Sequence, residues 1–486
     1  MQFFTTRVSG LRQFRILFSA FFLSAFWISG QAQTTFVRIS VVSFNPAKAH
    51  VEIENKGASD WSFRNTHASI VGLAERIDNF QGSQGGREVP LKRLAPGEFR
   101  FSEPVTRVSY DVRLTPPANL AHRSRVSWLN DDHGLLLLRD LLPGVGMGPD
   151  PILNLSFFLP PEWTIAASRD ASGSAHYVVT RPERAAFLVG RPLHIDQKMV
   201  GATKIKIAMA GDWPVSGKDL TKIVGQILME YSRAVGHSPP ANVALLLMPF
   251  DSPIGPERWS AETTGENVVL ALGQHAQEKA LVARLKVILD HELFHLWIPN
   301  SIGLKGDYDW FFEGFTLYQA LLTGLRLKHI KFDDYLETLG RVYASYRSAT
   351  ERDKLSLLEA SERRWTTAST LVYDKGMLVA LIYDLMLRRN SHGQASLTGI
   401  YPALLREAAG GGKDANELVM RVLDGRPGLD RFSEQYVQST WEIDLNRELA
   451  PFGLEVTNAG SVPRITVSKN LNGEQRRLLK ALGYKG

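Results

Sequence analysis

The sequence predicts an α+β, multidomain fold, and three observations lead to this prediction. At 486 residues the chain is too long for one compact core, so two or three domains are expected. Between about 34 and 195 the apolar residues fall in short alternating or β-branched runs, which is typical of antiparallel sheets. After residue 274 the apolar residues recur at helical spacing over most of the remaining chain.

The first element is a leader-like segment at residues 1–32. Arg7, Arg12 and Arg15 precede the apolar run 16–30, which is shorter than the roughly 20 residues that a membrane-spanning helix needs. We expect a cleaved signal peptide and a mature protein that is periplasmic or secreted, with no stable membrane partner. An uncleaved N-terminal anchor is the alternative.

Residues 33–200 are predicted to form an N-terminal antiparallel β domain. The strand-like segments are bounded by Gly, Pro, Asn and Asp, and they lie at 36–44, 50–55, 109–115, 125–130, 152–159 and 176–180. A sandwich or a barrel fits this pattern.

Residues 201–450 are predicted to form a second domain with a small sheet and a mostly helical part. Strands are predicted at 204–213, 242–250 and 266–273. Helices are predicted at 218–236, 276–299, 310–328, 332–350, 366–390, 398–409, 414–424 and 430–447. The last segment, 451–486, is predicted to be a short C-terminal extension.

Composition and charge exclude several classes of protein. Hydrophobic residues at 44% and charged residues at 22% are typical of a globular chain rather than a disordered one, and the absence of cysteine excludes disulfides. The formal charge is +6, and removing the three arginines of the first 32 residues leaves +3. Because no Lys/Arg cluster with interleaved aromatic residues is present either, no nucleic-acid partner is expected.

A metal-binding pattern, HELFH at 291–295, lies on the helix predicted at 276–299. Positions four apart on an α-helix project from nearly one line, so the imidazoles of His291 and His295 can hold one metal ion from the same side. Glu292 is rotated by about 100° from His291, which lets its carboxylate take a proton from a water molecule beside the metal. A motif this short also occurs by chance.

Glu313 is the candidate for a third ligand, with 17 residues between it and His295. It stands in the apolar helical stretch 308–320, where burial of an unpaired carboxylate would be costly, and a zinc ion would remove that cost. The alternatives are a glutamate on the solvent face of the helix or one bonded to an arginine. The turn-forming segment 297–309 allows the second helix to fold back on the first, which leaves a coordination position open, as catalytic zinc requires.

The motifs around these residues resemble a known family. HELFH with Glu313 and the following GFTLY resembles the gluzincin metallopeptidases, and HELFHLW, WFFEGFTLYQ and YDKG at 373–376 are similar to the glycyl aminopeptidase family. LPPEW at 159–163 resembles a family segment near the end of its N-terminal β domain. The resemblance covers most of residues 34–450, and it implies a gluzincin (thermolysin-like) catalytic domain at 201–450.

The resemblance assigns a role to each matching residue. It implies one Zn²⁺ per chain, with His291, His295 and Glu313 as the ligands and Glu292 as the general base and proton shuttle. It implies that the Tyr373 hydroxyl stabilises the oxyanion of the tetrahedral stage. A core or interface tyrosine is the alternative for Tyr373.

An aminopeptidase also needs a carboxylate that holds the free amine of the substrate. Related enzymes carry it on the strand before the zinc helix, where Glu266 with Asn267 in TTGENVVLAL is the best match and Glu262 is a rival. The residue before Glu266 is Gly265 rather than an apolar residue, which departs from the family motif. The family's C-terminal PDZ-type module is not expected, because the tail after about 450 is too short for it.

The predicted function is therefore that of an exported zinc metallopeptidase, an aminopeptidase that prefers small N-terminal residues such as glycine or alanine. Its expected partner is a peptide or protein substrate, and the sequence gives no oligomeric state. A zinc endopeptidase or another zinc hydrolase is the alternative if no acid holds the amine. A non-catalytic binding protein that keeps the fold is a second alternative, against which the complete set of site residues argues.

Overall fold

The computed structural model describes residues 34–485 except 252, 253, 256, 275, 276 and 458–461. The signal peptide predicted at 1–32 lies outside the described residues. No helix in the described ranges is long and apolar enough to cross a membrane.

Strands dominate the N-terminal part of the described chain, and eight of them form one large sheet. The first strand alternates strictly at its start, with Val37 and Ile39 facing the core, and it lies parallel to Ile152–Phe158 and antiparallel to Ala47–Ser62. The strands are Thr34–Phe44, Ala47–Ser62, Ile77–Gln84, Arg87–Glu88, Leu91–Ala95, Glu98–Arg113, Ile152–Phe158 and His176–Val179. The predicted N-terminal β-rich architecture is confirmed.

A second, four-stranded sheet lies between this large sheet and the rest of the chain. Its strands are Trp128–Leu129, His133–Leu137, Thr164–Ala166 and Ala186–Gly190. Leu136 packs into the core beneath the large sheet, whereas its neighbours Leu135 and Leu137 pack against the strands that follow residue 202. Both faces of the small sheet are therefore buried. Short elements nearby are Thr66–His67, Ile70–Val71, Leu73–Arg76, Leu120–His122, Leu138–Leu141 and Pro182–Arg184.

The third sheet carries the elements that approach the candidate site. Its five strands in the described chain are, in sequence order, Leu193–Val200, Thr203–Ala210, Asn242–Pro249, Trp259–Thr264 and Asn267–Leu272. The three central strands are parallel, and the helix Gly217–Val235 connects two of them. Trp259–Thr264 is antiparallel to its neighbour and forms one edge of this sheet; we call it the edge strand.

Helices make up most of the chain after residue 277. The first of them, Glu278–Glu292, buries Leu281, Leu285, Ile288 and Leu289, a one-sided spacing that seats it on the core. The α-helices that follow are Asp309–Phe312, Gly314–Arg326, Phe332–Ser348, Leu357–Glu362, Gly376–Asn390, Tyr401–Ala408, Ala415–Asp424, Phe432–Tyr436, Leu445–Leu449 and Gly473–Leu482. The 3-10 turns are Leu293–Leu296, Leu397–Ile400 and Ala450–Phe452, and a π-helical turn covers Leu371–Lys375.

The prediction of one continuous helix at 430–447 is wrong. The chain forms Phe432–Tyr436, leaves the helical path, and starts Leu445–Leu449 anew. Asp444 causes the second start, because its side chain accepts hydrogen bonds from the backbone N–H groups of Asn446 and Arg447 and so caps a new helix.

The C-terminal residues pack against the helical part. The hairpin Leu454–Thr457 with Arg464–Val467 precedes the helix Gly473–Leu482. Their apolar side chains Leu454, Ile465, Leu478, Leu479 and Leu482 belong to the same hydrophobic core as the helices described above.

Candidate metal centre and active site

The two histidines of HELFH meet at the end of the helix Glu278–Glu292. His291 lies in its last turn and His295 in the 3-10 turn that continues it, and their Nε2 atoms are 3.0 Å apart. Nδ1 of His295 lies 2.8 Å from the backbone oxygen of Ile298, to which its N–H donates. This hydrogen bond leaves the lone pair of Nε2 directed toward His291, as a metal ligand requires.

Glu313 completes a set of three converging donors. It lies between the helices Asp309–Phe312 and Gly314–Arg326, and its Oε2 is 3.3 Å from Nε2 of His291 and 3.6 Å from Nε2 of His295. One ligand atom of each residue lies within 4.8 Å of the others. The spacing predicted from the sequence therefore brings all three side chains together.

This donor set fits a divalent metal ion. Burial disfavours a charged carboxylate, but Arg364 and the two imidazoles hold the pKa of Glu313 well below its usual range, so that it stays ionised. Two imidazole nitrogens and one carboxylate oxygen form one of the ligand sets that hold catalytic zinc in proteins. His291, His295 and Glu313 can thus hold zinc, which would bind the two Nε2 atoms and the Oε2 atom that converge here.

Arg364 is a site residue that the sequence did not reveal. Its Nη2 lies 2.5 Å from Oε1 of Glu313 and 2.6 Å from the hydroxyl of Tyr373, and its Nη1 pairs with Asp309. Glu313 therefore uses one oxygen toward the histidines and the other toward an arginine. The arginine partner, one of the alternatives for Glu313, is therefore present, and the other carboxylate oxygen can still bind a metal ion.

Tyr373 reaches the centre from the π-helical turn Leu371–Lys375. Such a turn is a local irregularity in a helix and is frequent at functional sites. Burial and the nearby Glu313 charge raise the pKa of Tyr373, so its hydroxyl keeps its proton and can donate it in a hydrogen bond.

Two glycines set the distance between Tyr373 and Glu313. A Cβ added to Gly314 would lie 2.6 Å from Cα of Gly376, and one added to Gly376 would lie 2.7 Å from the backbone oxygen of Trp310. Only glycine allows the two backbones to come this close. Gly314 directly follows Glu313, and Gly376 lies three residues after Tyr373. The two glycines therefore mark the contact between the segments that carry these side chains.

Glu292 lies beside the three donors and is held by the edge strand. It is buried, and the hydroxyl of Thr263 lies 2.8 Å from its Oε2 and 2.8 Å from its backbone oxygen. A threonine hydroxyl at this place fixes the carboxylate of Glu292 relative to the helix that carries the two histidines.

The structure does not bring Glu266 and Asn267 to the metal centre. Glu266 lies beyond the end of the edge strand, 3.5 Å from Arg169. Glu266 and Asn267 line a different cavity from the one that contains the three donors. The side chain of Asn267 is buried, and its Oδ1 accepts a hydrogen bond from the backbone of Ser168 at 3.0 Å. These contacts tie Asn267 to the N-terminal β region.

Glu262, the rival candidate, lines the same cleft as the donors. Its Oε1 lies 2.5 Å from Nη1 of Arg139 and 3.4 Å from Nε2 of His67. Burial opposes its charged form, but Arg139 and His67 lower its pKa to about 2. Its Oε2 is buried and has no hydrogen-bond partner among the described residues.

The cleft over the centre has a volume of about 350 Å³. Its walls include His67, Ala121 and Arg125 from the N-terminal β region, together with the edge strand and Trp365. The β region therefore forms part of the cleft, which is roomy enough for a ligand of a few residues.

Known proteins resemble the chain at the level of the site. The family model of M61 glycyl aminopeptidase matches residues 284–379, a segment that contains the three donors, Glu292 and Tyr373. The site is that of a zinc metallopeptidase. No curated protein sequence matches the chain.

Solved structures share the fold of this metallopeptidase. An aminopeptidase N family protein from Idiomarina loihiensis is 19% identical with a TM-score of 0.75, and the alignment covers 87% of this chain and 79% of that one. An M1 zinc metallopeptidase from Deinococcus radiodurans is 15% identical with a TM-score of 0.55, covering 85% and 95%. A mutant of that protein bound to a Tyr-Ser-Ala substrate is 13% identical with a TM-score of 0.56, also covering 85% and 95%. At these identities the likeness establishes the fold, an N-terminal β part followed by a mostly helical part.

Proposed function

We propose that this metallopeptidase is an exported zinc aminopeptidase that removes small N-terminal residues, glycine or alanine, from peptides. The observation that carries the proposal is Glu262, an ionised carboxylate that lines the cleft that also contains the three donors. A carboxylate beside the scissile bond is what an aminopeptidase needs in order to bind the free amine of its substrate.

His291, His295 and Glu313 hold the zinc ion in this proposal. When bound, zinc supplies a Lewis acid that polarises the scissile carbonyl and eases the loss of a proton from water. Glu292 takes that proton from the attacking water and returns it to the leaving amine. The hydroxyl of Thr263 holds the Glu292 carboxylate in place while it does so.

Tyr373 donates a hydrogen bond to the carbonyl oxygen as negative charge develops on it. Arg364 positions the phenol, because its Nη2 contacts both the Tyr373 hydroxyl and Oε1 of Glu313. One guanidinium thus couples the position of the Tyr373 hydroxyl to the position of Glu313, the third zinc ligand.

Glu262 binds the protonated amine in this proposal, and Arg139 and His67 hold its carboxylate in place through Oε1. Glu262 replaces Glu266 in this role because it lies on the edge strand beside Thr263, whereas Glu266 lines another cavity. The preference for small residues is supported by the match to the M61 glycyl aminopeptidase model. Export is supported by the basic and then apolar segment at 1–32.

The test compares alanyl p-nitroanilide with its N-acetylated form on the zinc-loaded protein. We expect hydrolysis of the free amine only, because acetylation removes the charge that Glu262 binds. Hydrolysis of both would favour the zinc endopeptidase or another zinc hydrolase, and hydrolysis of neither would favour a non-catalytic binding protein. Glycyl and alanyl reporters should exceed a leucyl reporter, and equal rates would contradict the small-residue preference.

A pair of matched variants then identifies the amine-binding carboxylate. Glu262→Gln should lower kcat/KM for alanyl p-nitroanilide by about 10- to 100-fold, the effect of losing a charge-assisted hydrogen bond. Glu266→Gln removes the same charge from the other cavity and should have little effect. The opposite ranking would return the role to Glu266.

A further inference from the structure

Arg125 is a cation of the cleft to which the proposed chemistry gives no role. It comes from the N-terminal β region and lines the same cavity as the metal donors. Its guanidinium lies 5.5 Å from the centre of the Trp365 ring. Within the described ranges the Arg125 side chain makes no hydrogen bond or ion pair with a carboxylate. Its guanidinium instead makes a cation–π contact with Trp365.

The other basic side chains that line the cleft already contact carboxylates. Arg364 contacts Glu313 and Asp309, and His67 contacts Glu262. Arg125 is therefore a half-buried cation that has no carboxylate partner in the described part of the chain. A partly desolvated guanidinium attracts a carboxylate strongly, since it can donate two parallel hydrogen bonds to it.

Arg125 lies toward the Tyr373 side of the site. The guanidinium of Arg125 lies over the ring of Trp365. The guanidinium of Arg364 lies 4.5 Å from the centre of the same ring, and it also contacts the Tyr373 hydroxyl. The cleft is thus lined by the Glu262 carboxylate and by a cation, Arg125, that has no carboxylate partner among the described residues. A short peptide with a free amine and a free carboxylate carries the complementary pair of charges.

We infer that Arg125 binds a carboxylate of the substrate that follows the scissile bond, which makes short peptides with a free C-terminus, or with an acidic residue after the cleaved one, the preferred substrates. This inference rests on the proposed aminopeptidase function. It adds a determinant that aminoacyl reporters such as p-nitroanilides cannot reveal, because they have no carboxylate.

The test uses the zinc-loaded protein and five peptides that differ in where a carboxylate stands. They are alanyl-alanine and trialanine, each as the free acid and as the C-terminal amide, and alanyl-glutamic acid with its α-carboxyl amidated. The free acids should exceed their amides in kcat/KM by about 10- to 100-fold if the terminal carboxylate is bound. An advantage of the glutamyl peptide over alanyl-alanine amide would instead identify the acidic side chain as the source.

Variants show whether Arg125 causes the preference. In Arg125→Gln the ratio of charged to amidated substrate should fall to about one, and Arg125→Lys should keep part of it, since a point charge remains. The ratio does not depend on how much of a variant is folded. Arg363→Gln is the matched control, because it removes an exposed arginine one residue from Arg364 and should leave the ratio as in the wild type.

Two results would overturn the inference. One is equal kcat/KM of the wild type for all charged and amidated peptides, and the other is an Arg125→Gln variant that keeps the wild-type ratio. Failure of the underlying aminopeptidase function would look different, because the wild type would then leave alanyl p-nitroanilide intact as well.

Discussion

The contact between Gly314 and Gly376 allows a prediction whose size follows from the structure. In Gly376→Ala the new Cβ would lie 2.7 Å from the backbone oxygen of Trp310 and 3.1 Å from Cα of Gly314. Ordinary contact begins at 3.4 Å, so the first distance falls short by 0.7 Å. Both neighbours are backbone atoms, which cannot turn aside as a side chain can.

The chain segments that carry Glu313 and Tyr373 must therefore move apart by several tenths of an ångström. Because a misplacement of about 1 Å can cost a factor of 100 in rate, we expect kcat/KM to fall by about 10- to 100-fold. Overpacking of this kind should also lower the free energy of unfolding by about 1–3 kcal/mol.

The assay measures kcat/KM on alanyl p-nitroanilide and the free energy of unfolding by urea, both with zinc loaded. Gly399→Ala is the control, because a Cβ at Gly399 meets no atom within 4 Å. If Gly376→Ala matched the wild type in rate, the close helix contact would not be what places Tyr373 against Glu313.

Two further predictions concern neighbours of the site. Burial lowers the pKa of Lys375 from 10.5 to about 8, so the native state binds this proton less readily than the unfolded state, and stability rises with pH between these values. Lys375→Met should therefore raise the free energy of unfolding by about 2–3 kcal/mol below pH 8, and by less near pH 10.5. An equal increase at both pH values would contradict a charged lysine in the core. Thr263→Val removes the hydroxyl that contacts the Glu292 carboxylate and should lower kcat by about tenfold, whereas Thr263→Ser should keep most of it. Equal rates for both Thr263 variants, measured under saturating substrate, would show that the hydroxyl does not position Glu292.

The metal donors were predictable because their signal is local. His291 and His295 are one helical turn apart, and Glu313 stands out as a charge in an apolar stretch. Both patterns follow from helix geometry and from the cost of burying a carboxylate. The structure places all three side chains within reach of one ion.

Arg364 escaped prediction because its partners are distant in sequence. It lies 51 residues from Glu313, in the stretch RRW, which has no spacing relation to the donors. A buried glutamate signals that a cation must be near, but it does not say which arginine supplies it.

The choice between Glu266 and Glu262 depended on where the edge strand ends. Matching the GEN stretch favoured Glu266, yet the strand stops at Thr264, so Glu266 belongs to the turn and faces another cavity. Glu262, within the strand, lines the cleft. A shift of a few residues in a strand boundary thus decides which carboxylate approaches the metal centre, and sequence patterns fix such boundaries poorly.

The contribution of the N-terminal β region to the cleft was also beyond the sequence. Its strands were recognisable from alternation, but His67, Arg125 and Arg139 reach the site from a two-residue strand, a turn and a short helix of that region. Contacts of this kind depend on how two sheets pack, which periodicity within one segment does not encode.

The central claim, that His291, His295 and Glu313 hold zinc, is tested most directly by the metal content of the freshly purified protein. Elemental analysis should find one zinc per chain in the wild type and in Glu292→Ala, whose altered residue is not a ligand, and a large loss in His295→Ala. Absence of zinc from the wild type, or full retention of zinc in His295→Ala, would contradict the account.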